Sequence, residues 1–335
     1  MNWVRGETIG YGSFASVSLA KDVGDHLDQT LMAVKYCQAS CSDSLISEKE
    51  VLKMMKGCPQ IIRLYGDEIS HEKGQRFYNL LIEYAAGGDL GRKIKNSRLS
   101  EMEVRRHTRS VMEGLKFIHG SGFVHCDIKP TNVLLCSAVD GGDQVAKIAD
   151  FGLAKMAGER IGVNLRGTPL YMSPEMVNEG EQESPADIWA LGCLISEMIT
   201  GNPVWKFPGD ENFCKLLLRI GTGDSSPAIP EELSDEGKDF LRKCFIRDPR
   251  DRWTAEMLLS HPFVANIENN STEVESNGED EVHVYRQISP RCPFDFPNRD
   301  RSCSMSSPAE RLRRLGTTAA EKSNWSSCGD WVVVR

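Results

Sequence analysis

The chain has 335 residues, of which 40% are hydrophobic and 26% charged, and a formal net charge of −8. That length exceeds one typical domain, leaves room for two lobes and a tail, and supplies enough apolar residues for a sizeable core. The acidic balance argues against a general nucleic-acid binder, and neither a secretory leader nor a membrane span is expected: the longest apolar stretch, residues 188–199, is broken by Gly192, Ser196 and Glu197.

Residues 4–9, 15–20 and 31–36 read as strands. A helix follows over 44–56, with apolar residues at Leu45, Val51, Leu52 and Met55 and a stop before Gly57. Strands resume over 62–69 and 77–84, so this part is expected to be a small, mostly antiparallel sheet with one helix. After Gly87-Gly88 the pattern turns helical, over 99–119, 186–200, 212–221, 234–245 and 254–259, with Gly and Pro at the joints. A ligand site between the two parts is the default expectation.

The packed pattern ends near His261-Pro262-Phe263, and residues 266–281 have the Asn, Ser and acidic content of a linker. Tyr285, Phe294, Phe296, Trp325 and Trp331 follow, which suits docking onto a partner or back onto the folded part. The eleven cysteines are scattered singly, as expected of reduced thiols in the cytoplasm or nucleus. The nearest pair, Cys37 and Cys41, lacks further zinc ligands at matching spacing.

The chemistry-bearing segments come in a fixed order. Gly10-Tyr11-Gly12-Ser13-Phe14-Ala15-Ser16-Val17 lies between two strands, where glycine lets backbone amides approach phosphate oxygens. Alone, such a loop is most often a hairpin with no ligand, and a following strand excludes a dinucleotide fingerprint. Lys35 ends the strand segment Met32-Ala33-Val34-Lys35, and Glu48 and Glu50 on the one helix are its candidate partners. Two residues apart, these glutamates do not share a helix face. Downstream lie Leu80-Leu81-Ile82-Glu83-Tyr84-Ala85-Ala86-Gly87-Gly88-Asp89-Leu90, His125-Cys126-Asp127-Ile128-Lys129-Pro130-Thr131-Asn132, Asp150-Phe151-Gly152, Gly167-Thr168-Pro169-Leu170-Tyr171 and Ser173-Pro174-Glu175.

In this order and spacing the segments resemble the signature set of protein kinases. The resemblance implies an α+β fold of two lobes: a β-rich N-lobe over about 1–85, an α-helical C-lobe over about 86–264, and a regulatory or docking tail over 265–335. It implies use of ATP and Mg2+. Ile9, Gly10, Tyr11, Gly12, Ser13, Phe14, Ala15, Ser16 and Val17 would cover the nucleotide. Lys35 would neutralise its α- and β-phosphate oxygens, held by Glu48, because Glu48-Lys49-Glu50-Val51-Leu52 resembles the kinase helix pattern. Ile82 would back the adenine pocket, the backbone of Glu83 and Ala85 would meet the adenine edge, and Asp89 would reach the ribose. Val17, Ala33 and Leu134 would sandwich the ring. Asp150 and Asn132 would supply hard oxygen ligands to magnesium. Asp127 would orient the acceptor hydroxyl and take its proton, and Lys129 would stabilise charge developing on the transferred phosphoryl group. Thr168 would bridge Asp127 and Lys129, Glu175 would pair with Arg252, and Asp187 would anchor the catalytic loop. The spacing Asp127-x-Lys129-x-x-Asn132 and the segment Gly167-Thr168-Pro169-Leu170-Tyr171 resemble serine/threonine kinases.

Two departures from the family pattern stand out. The third glycine of the loop is Ala15, and the arginine that in many kinases precedes the catalytic aspartate is Cys126. That arginine grips a phosphate on the activation loop. A cysteine forms no such charged pair, and between Phe151 and Gly167 there is no Ser, Thr or Tyr. The expectation is an activation segment ordered by packing, with control elsewhere; Ser289-Pro290 and Ser307-Pro308 are minimal sites for proline-directed kinases.

The start Met1-Asn2-Trp3-Val4-Arg5-Gly6, the His-Cys-Asp-Ile-Lys loop and the end Asp330-Trp331-Val332-Val333-Val334-Arg335 are similar to the short plant mitogen-activated protein kinase kinase kinases. This implies MAP kinase kinases as protein substrates, in stress or hormone signalling such as that of abscisic acid, with a regulator that binds the tail. The alternative is a pseudokinase scaffold, supported only by Ala15 and Cys126 and opposed by Lys35, Glu48, Asp127, Asn132 and Asp150. A kinase of small molecules is disfavoured by the substrate-loop likeness over 169–175.

Overall fold

The structure is a computed structural model that describes residues 3–12, 15–23, 31–137, 144–159, 166–205, 213–223 and 226–265. Ser13 and Phe14 of the glycine loop, residues 160–165, and the tail from 266 with Ser289 and Ser307 lie outside the described residues.

Strands β1 (Trp3–Tyr11), β2 (Ser16–Asp22) and β3 (Leu31–Gln38) precede helix α1 (Asp43–Met54), and β4 (Leu64–Glu72) and β5 (Gln75–Glu83) follow it. They form one antiparallel sheet in the order β1-β2-β3-β5-β4. Strand β3 is central, and the pleat sends alternate residues to opposite faces. Met32 and Val34 pack with Ala20 and Leu81 on one face. Ala33 joins Leu52 and Met55, from the region of α1, in the main core. Lys35 shares the parity of Ala33, so its side chain leaves the sheet toward α1.

Strand β4 begins later than the hydrophobic run over 62–69 predicts, and runs to Glu72. The reason is tertiary. Ile62 N donates to the carbonyl of Ile148 at 3.0 Å, Ile148 N donates to Gln60 O at 2.8 Å, and Ile61 bridges Ile148 in parallel. The backbone after α1 is thus hydrogen-bonded into the other lobe before the chain returns to its own sheet.

That lobe contains α2 (Leu90–Asn96), α3 (Glu101–Gly120), β6 (Phe123–Val124), β7 (Val133–Cys136), β8 (Val145–Ile148) and β9 (Lys155–Met156). Six further helices follow among the described residues: α4 (Pro174–Glu179), α5 (Ser184–Thr200), α6 (Phe213–Thr222), α7 (Asp235–Cys244), α8 (Ala255–Leu259) and α9 (Pro262–Ala265). The first residues of α3 carry a capping box in which Ser100 accepts from Glu103 N and Glu103 reaches back to Ser100 N. This sets the start of α3 at 101 rather than 99. Helix α5 is buried nearly all round, as its run of apolar residues requires. The short elements α2, α4, α9 and β6 to β9 have too few residues to show a period, and the sequence reading did not anticipate them. No helix among the described residues is long and apolar enough to cross a membrane.

His107 on α3 is buried, and neither ring nitrogen has a hydrogen-bond partner among the described residues. Burial, reinforced by Lys93 and Arg106 and opposed by Glu103, lowers its pKa from 6.5 to about 4. The unfolded chain therefore takes up a proton that the folded chain refuses, and stability falls as pH drops from 6.5 toward about 4. His107→Leu is expected to remove roughly 2 kcal/mol of destabilisation at about pH 5, read by urea unfolding against about pH 7.5. An unchanged difference between the two pH values would discard this account.

Candidate active site

Lys35 and Glu48 are both buried, and Lys35 Nζ donates to Glu48 Oε2 at 2.6 Å and to Asp150 Oδ1 at 2.9 Å. An ammonium withdrawn from water requires such partners. Glu50 instead lies on the exposed side of α1 with Lys49 and Lys53. Of the two candidates, the structure brings Glu48 to Lys35. Asp150 arrives from the end of β8 with a left-handed backbone, φ 64°. The ladder between residues 60–62 and Ile148 ties the segment after α1 to the strand that delivers Asp150, so both carboxylates are placed by one set of hydrogen bonds.

Above this pair, Val17 lies opposite Lys35 on one neighbour and Gly10 on the other, and Ser16 lies opposite Tyr11. Ile9 and Tyr11 are partly exposed in β1. Gly12 N donates to Ala15 O at 2.7 Å, closing the loop, and a Cβ on Gly12 would stand 3.2 Å from that oxygen. At the back, Ile82 pairs with Ala33. Glu83 N donates to Arg63 O, and the Glu83 carboxylate accepts from Lys147. The Glu83 amide is thus committed to Arg63, so of Glu83 and Ala85 the latter's amide is the candidate donor to an adenine edge. Asp89 bridges Leu134, and its Oδ1 accepts from Arg92 N at 2.9 Å as the cap of α2.

The catalytic-loop residues converge as tightly. Asp127 Oδ1 accepts from Thr168 N at 3.0 Å and Thr168 Oγ1 at 2.8 Å. Its Oδ2 lies 2.8 Å from Lys129 Nζ and 3.0 Å from Asn132 Nδ2. Lys129 Nζ also donates to Thr168 Oγ1 at 2.9 Å, so Thr168 bridges the two. Burial would raise the Asp127 pKa, but the charge and hydrogen bond of Lys129, the Thr168 hydroxyl and His125 outweigh it and hold the pKa below its ordinary 3.8. The group is a carboxylate at every pH near neutral.

The frame beneath is built from α5 and its neighbours. Asp187 Oδ2 accepts from His125 N and His119 Nε2, and Oδ1 accepts from Cys126 N, each at 2.9 Å. These bonds hold Cys126 at φ 70°, a region that is costly without glycine. Gly167, at φ 103°, passes so close that a Cβ there would stand 2.7 Å from Cys126 O. Arg252 makes a two-point pair with Glu175 at 2.7 and 3.0 Å, buried on both sides. Three side chains were not singled out from the sequence. Lys155 is buried on β9, Gln182 Nε2 donates to Cys126 O and Arg166 O, and Glu183 accepts from Lys155 and from Gly158 N. The available signal was a lysine beside an activation segment without hydroxyls, followed by an acidic residue at the start of an apolar helix.

The arrangement fits a nucleoside triphosphate with a divalent metal. Among the described residues no three His, Cys, Asp or Glu side chains could hold a metal by themselves. A magnesium ion bound with a nucleotide needs only one or two protein oxygens besides phosphate oxygens and water. Asp150 supplies a carboxylate, and with the Asn132 nitrogen committed to Asp127, a metal would take the amide oxygen. Glu48→Gln is expected to lower phosphoryl transfer by roughly 10²-fold, because it uncouples Lys35, whereas Glu50→Gln stays within about twofold. Steady-state kinetics on both variants check this, and equal losses would refute the assignment of Glu48.

Residues 3–264 match the protein kinase domain family. Over its full length the chain is 47% identical to Mitogen-activated protein kinase kinase kinase 20 of Arabidopsis thaliana, covering 100% of both chains. It is 37% identical to Mitogen-activated protein kinase kinase kinase 18 of the same plant, covering 100% of this chain and 99% of that one. It is 38% identical to Mitogen-activated protein kinase kinase kinase 17 of that plant, over 79% of this chain and 70% of the relative. With a matching domain, a two-lobed fold and full-length relatives, the chain belongs to the protein kinase family, among the plant mitogen-activated protein kinase kinase kinases.

Proposed function

We propose that this kinase transfers the γ-phosphoryl group of ATP, with Mg2+, to serine or threonine hydroxyls of MAP kinase kinases. The cellular setting we propose is stress or hormone signalling, abscisic acid included, in the cytoplasm or nucleus, with a regulator acting on the tail. The observation that carries the activity is the Asp127–Lys129–Thr168–Asn132 network, in which every polar contact is 3.0 Å or shorter. The substrate class rests on the likeness to relatives named as MAP kinase kinase kinases.

ATP and its metal supply an activated phosphoryl group with much of its charge neutralised. The chain supplies position. Lys35, held by Glu48, would neutralise phosphate oxygens, and Asp150 and Asn132 would hold the metal. Asp127 accepts a hydrogen bond from the acceptor hydroxyl and aims its oxygen at the phosphoryl group. Because its pKa is low, Asp127 is a weak base and takes the proton only as the oxygen loses it to bond formation. A lysine ammonium has three donors; those of Lys129 serve Asp127, Thr168 and, in the reaction, an oxygen of the transferred group. The Thr168 hydroxyl orders Asp127 and Lys129 while its segment continues into the substrate loop, which links acceptor binding to the reacting groups.

The bonds from Asp187 and Gln182 to the catalytic loop involve no phosphate. With Cys126 in place of an arginine, the proposal includes activity without activation-loop phosphorylation. Bacterially produced, phosphatase-treated full chain should label purified MAP kinase kinases on serine or threonine. Asp127→Asn should reduce that labelling by roughly 10²-fold or more. Equal labelling by both proteins would defeat the catalytic assignment. An enzyme that revives only on phosphorylation of Thr168 or Ser173 would defeat the phosphate-independent part.

A further inference from the structure

Lys155 is a buried cation that phosphoryl transfer does not use. It sits on β9, which pairs with β6 immediately before the catalytic loop, opposite Val124. Its Nζ lies 2.7 Å from Glu183 Oε1 and donates to the Glu159 carbonyl at 3.0 Å. Both Glu183 oxygens accept from Gly158 N at 3.1 Å. Glu183 is the N-cap residue of α5, yet its side chain makes no capping bond to that helix. It reaches away, into residues 155–159. The adjacent Gln182 donates to Cys126 O at 3.1 Å and to Arg166 O at 3.3 Å.

Two consecutive residues therefore hold both flanks of the stretch 160–165, and one of them also holds the catalytic loop. One turn further along α5, Asp187 fixes the amides of His125 and Cys126. The catalytic loop, β9 and the entry to the substrate loop are all referred to the first turn of a single buried helix. A phosphorylated segment achieves comparable order when an anionic group meets a cationic cluster. Here the cation is Lys155, and the anion is already encoded in the chain.

We propose that Glu183 is a built-in anion that orders residues 155–159, at the start of the activation segment, through Lys155 and Gly158, and so supports the placement of Thr168 and Asp127 for the acceptor without phosphorylation. Glu183 is a positioning residue; it does not touch the reacting atoms. The inference rests on the phosphoryl-transfer reading above. A solely structural role is the competing explanation, since a buried lysine needs a counter-ion in any case.

The test uses the full chain, phosphatase-treated, with an MAP kinase kinase as acceptor and melting temperature as the control for folding. Glu183→Gln keeps the shape and one carbonyl acceptor but removes the charge. It is expected to lower kcat/KM for the protein acceptor by about tenfold while the Kd for ATP stays within about twofold. Amide hydrogen exchange over residues 157–159 should quicken by about tenfold. The double variant Lys155→Met/Glu183→Gln, which leaves no unpaired buried charge, should not recover activity. Recovery in the double variant would reduce Glu183 to a counter-ion for Lys155 and overturn the proposal. Wild-type rates and exchange in Glu183→Gln would also overturn it. If the unmodified chain labels no protein acceptor, the transfer reading fails instead, and the exchange measurement still decides whether the clamp orders the segment.

Discussion

A lysine ammonium buried beside two carboxylates is the constraint around which the site is assembled. Removing one partner from such a buried arrangement costs about 3–5 kcal/mol, so Lys35, Glu48 and Asp150 stabilise one another's positions. Each comes from a different part of the fold: the central strand β3, the helix α1, and the turn after β8. The interaction can form only when sheet, helix and C-lobe strand have reached their final relation. The backbone ladder between residues 60–62 and Ile148 makes that relation rigid. A nucleotide site of this kind is preorganised by hydrogen bonds far from any phosphate.

The second half of the site depends on α5 in the same way. Asp187 is fully buried and held below its ordinary pKa: burial opposes ionisation, but the His119 hydrogen bond and nearby His charges, with the His125 amide, prevail. A carboxylate so placed fixes backbone rather than reacts. It forces Cys126 into a left-handed conformation, which in turn aims Asp127 at Thr168 and Lys129. Gly167 is required because its Cα passes over the Cys126 carbonyl, where no side chain fits. Local strain, a missing Cβ and a buried acid are thus parts of one arrangement.

Cys126 has a consequence beyond the missing charge. Its thiol is buried, and burial, with the nearby Asp187 charge, raises its pKa well above the ordinary range. It behaves as a small apolar group under the catalytic loop. The positive charge near it comes from Arg166 and from Lys155, one strand away, and Lys155 is met by Glu183. The two acidic residues of the first α5 turns, Glu183 and Asp187, therefore divide the work: one faces the segment, the other the loop.

Residue order along the chain already carried the groups that phosphoryl transfer needs and the two-part organisation of strands and then helices. Lys35, Asp127, Lys129, Asn132, Asp150 and Thr168 were legible through the resemblance of their segments, in order and spacing, to the kinase signature set. Long elements such as α3 and α5 were legible from periodicity. Only tertiary structure decided the rest. The first turn of the run at 62–69 left its own sheet because Ile148 offered backbone partners in the other lobe. Asp89 became a helix cap, and Glu83 gained Lys147, through contacts between elements. Lys155 beside a segment without hydroxyls and Glu183 before an apolar helix are weak local signals, and neither they nor Gln182 name a partner, because the contacts span 28 and 56 residues of chain. Spacing along a chain records chemistry that is local to a motif. Which buried charge meets which partner is settled by burial itself, after the fold has removed water from both.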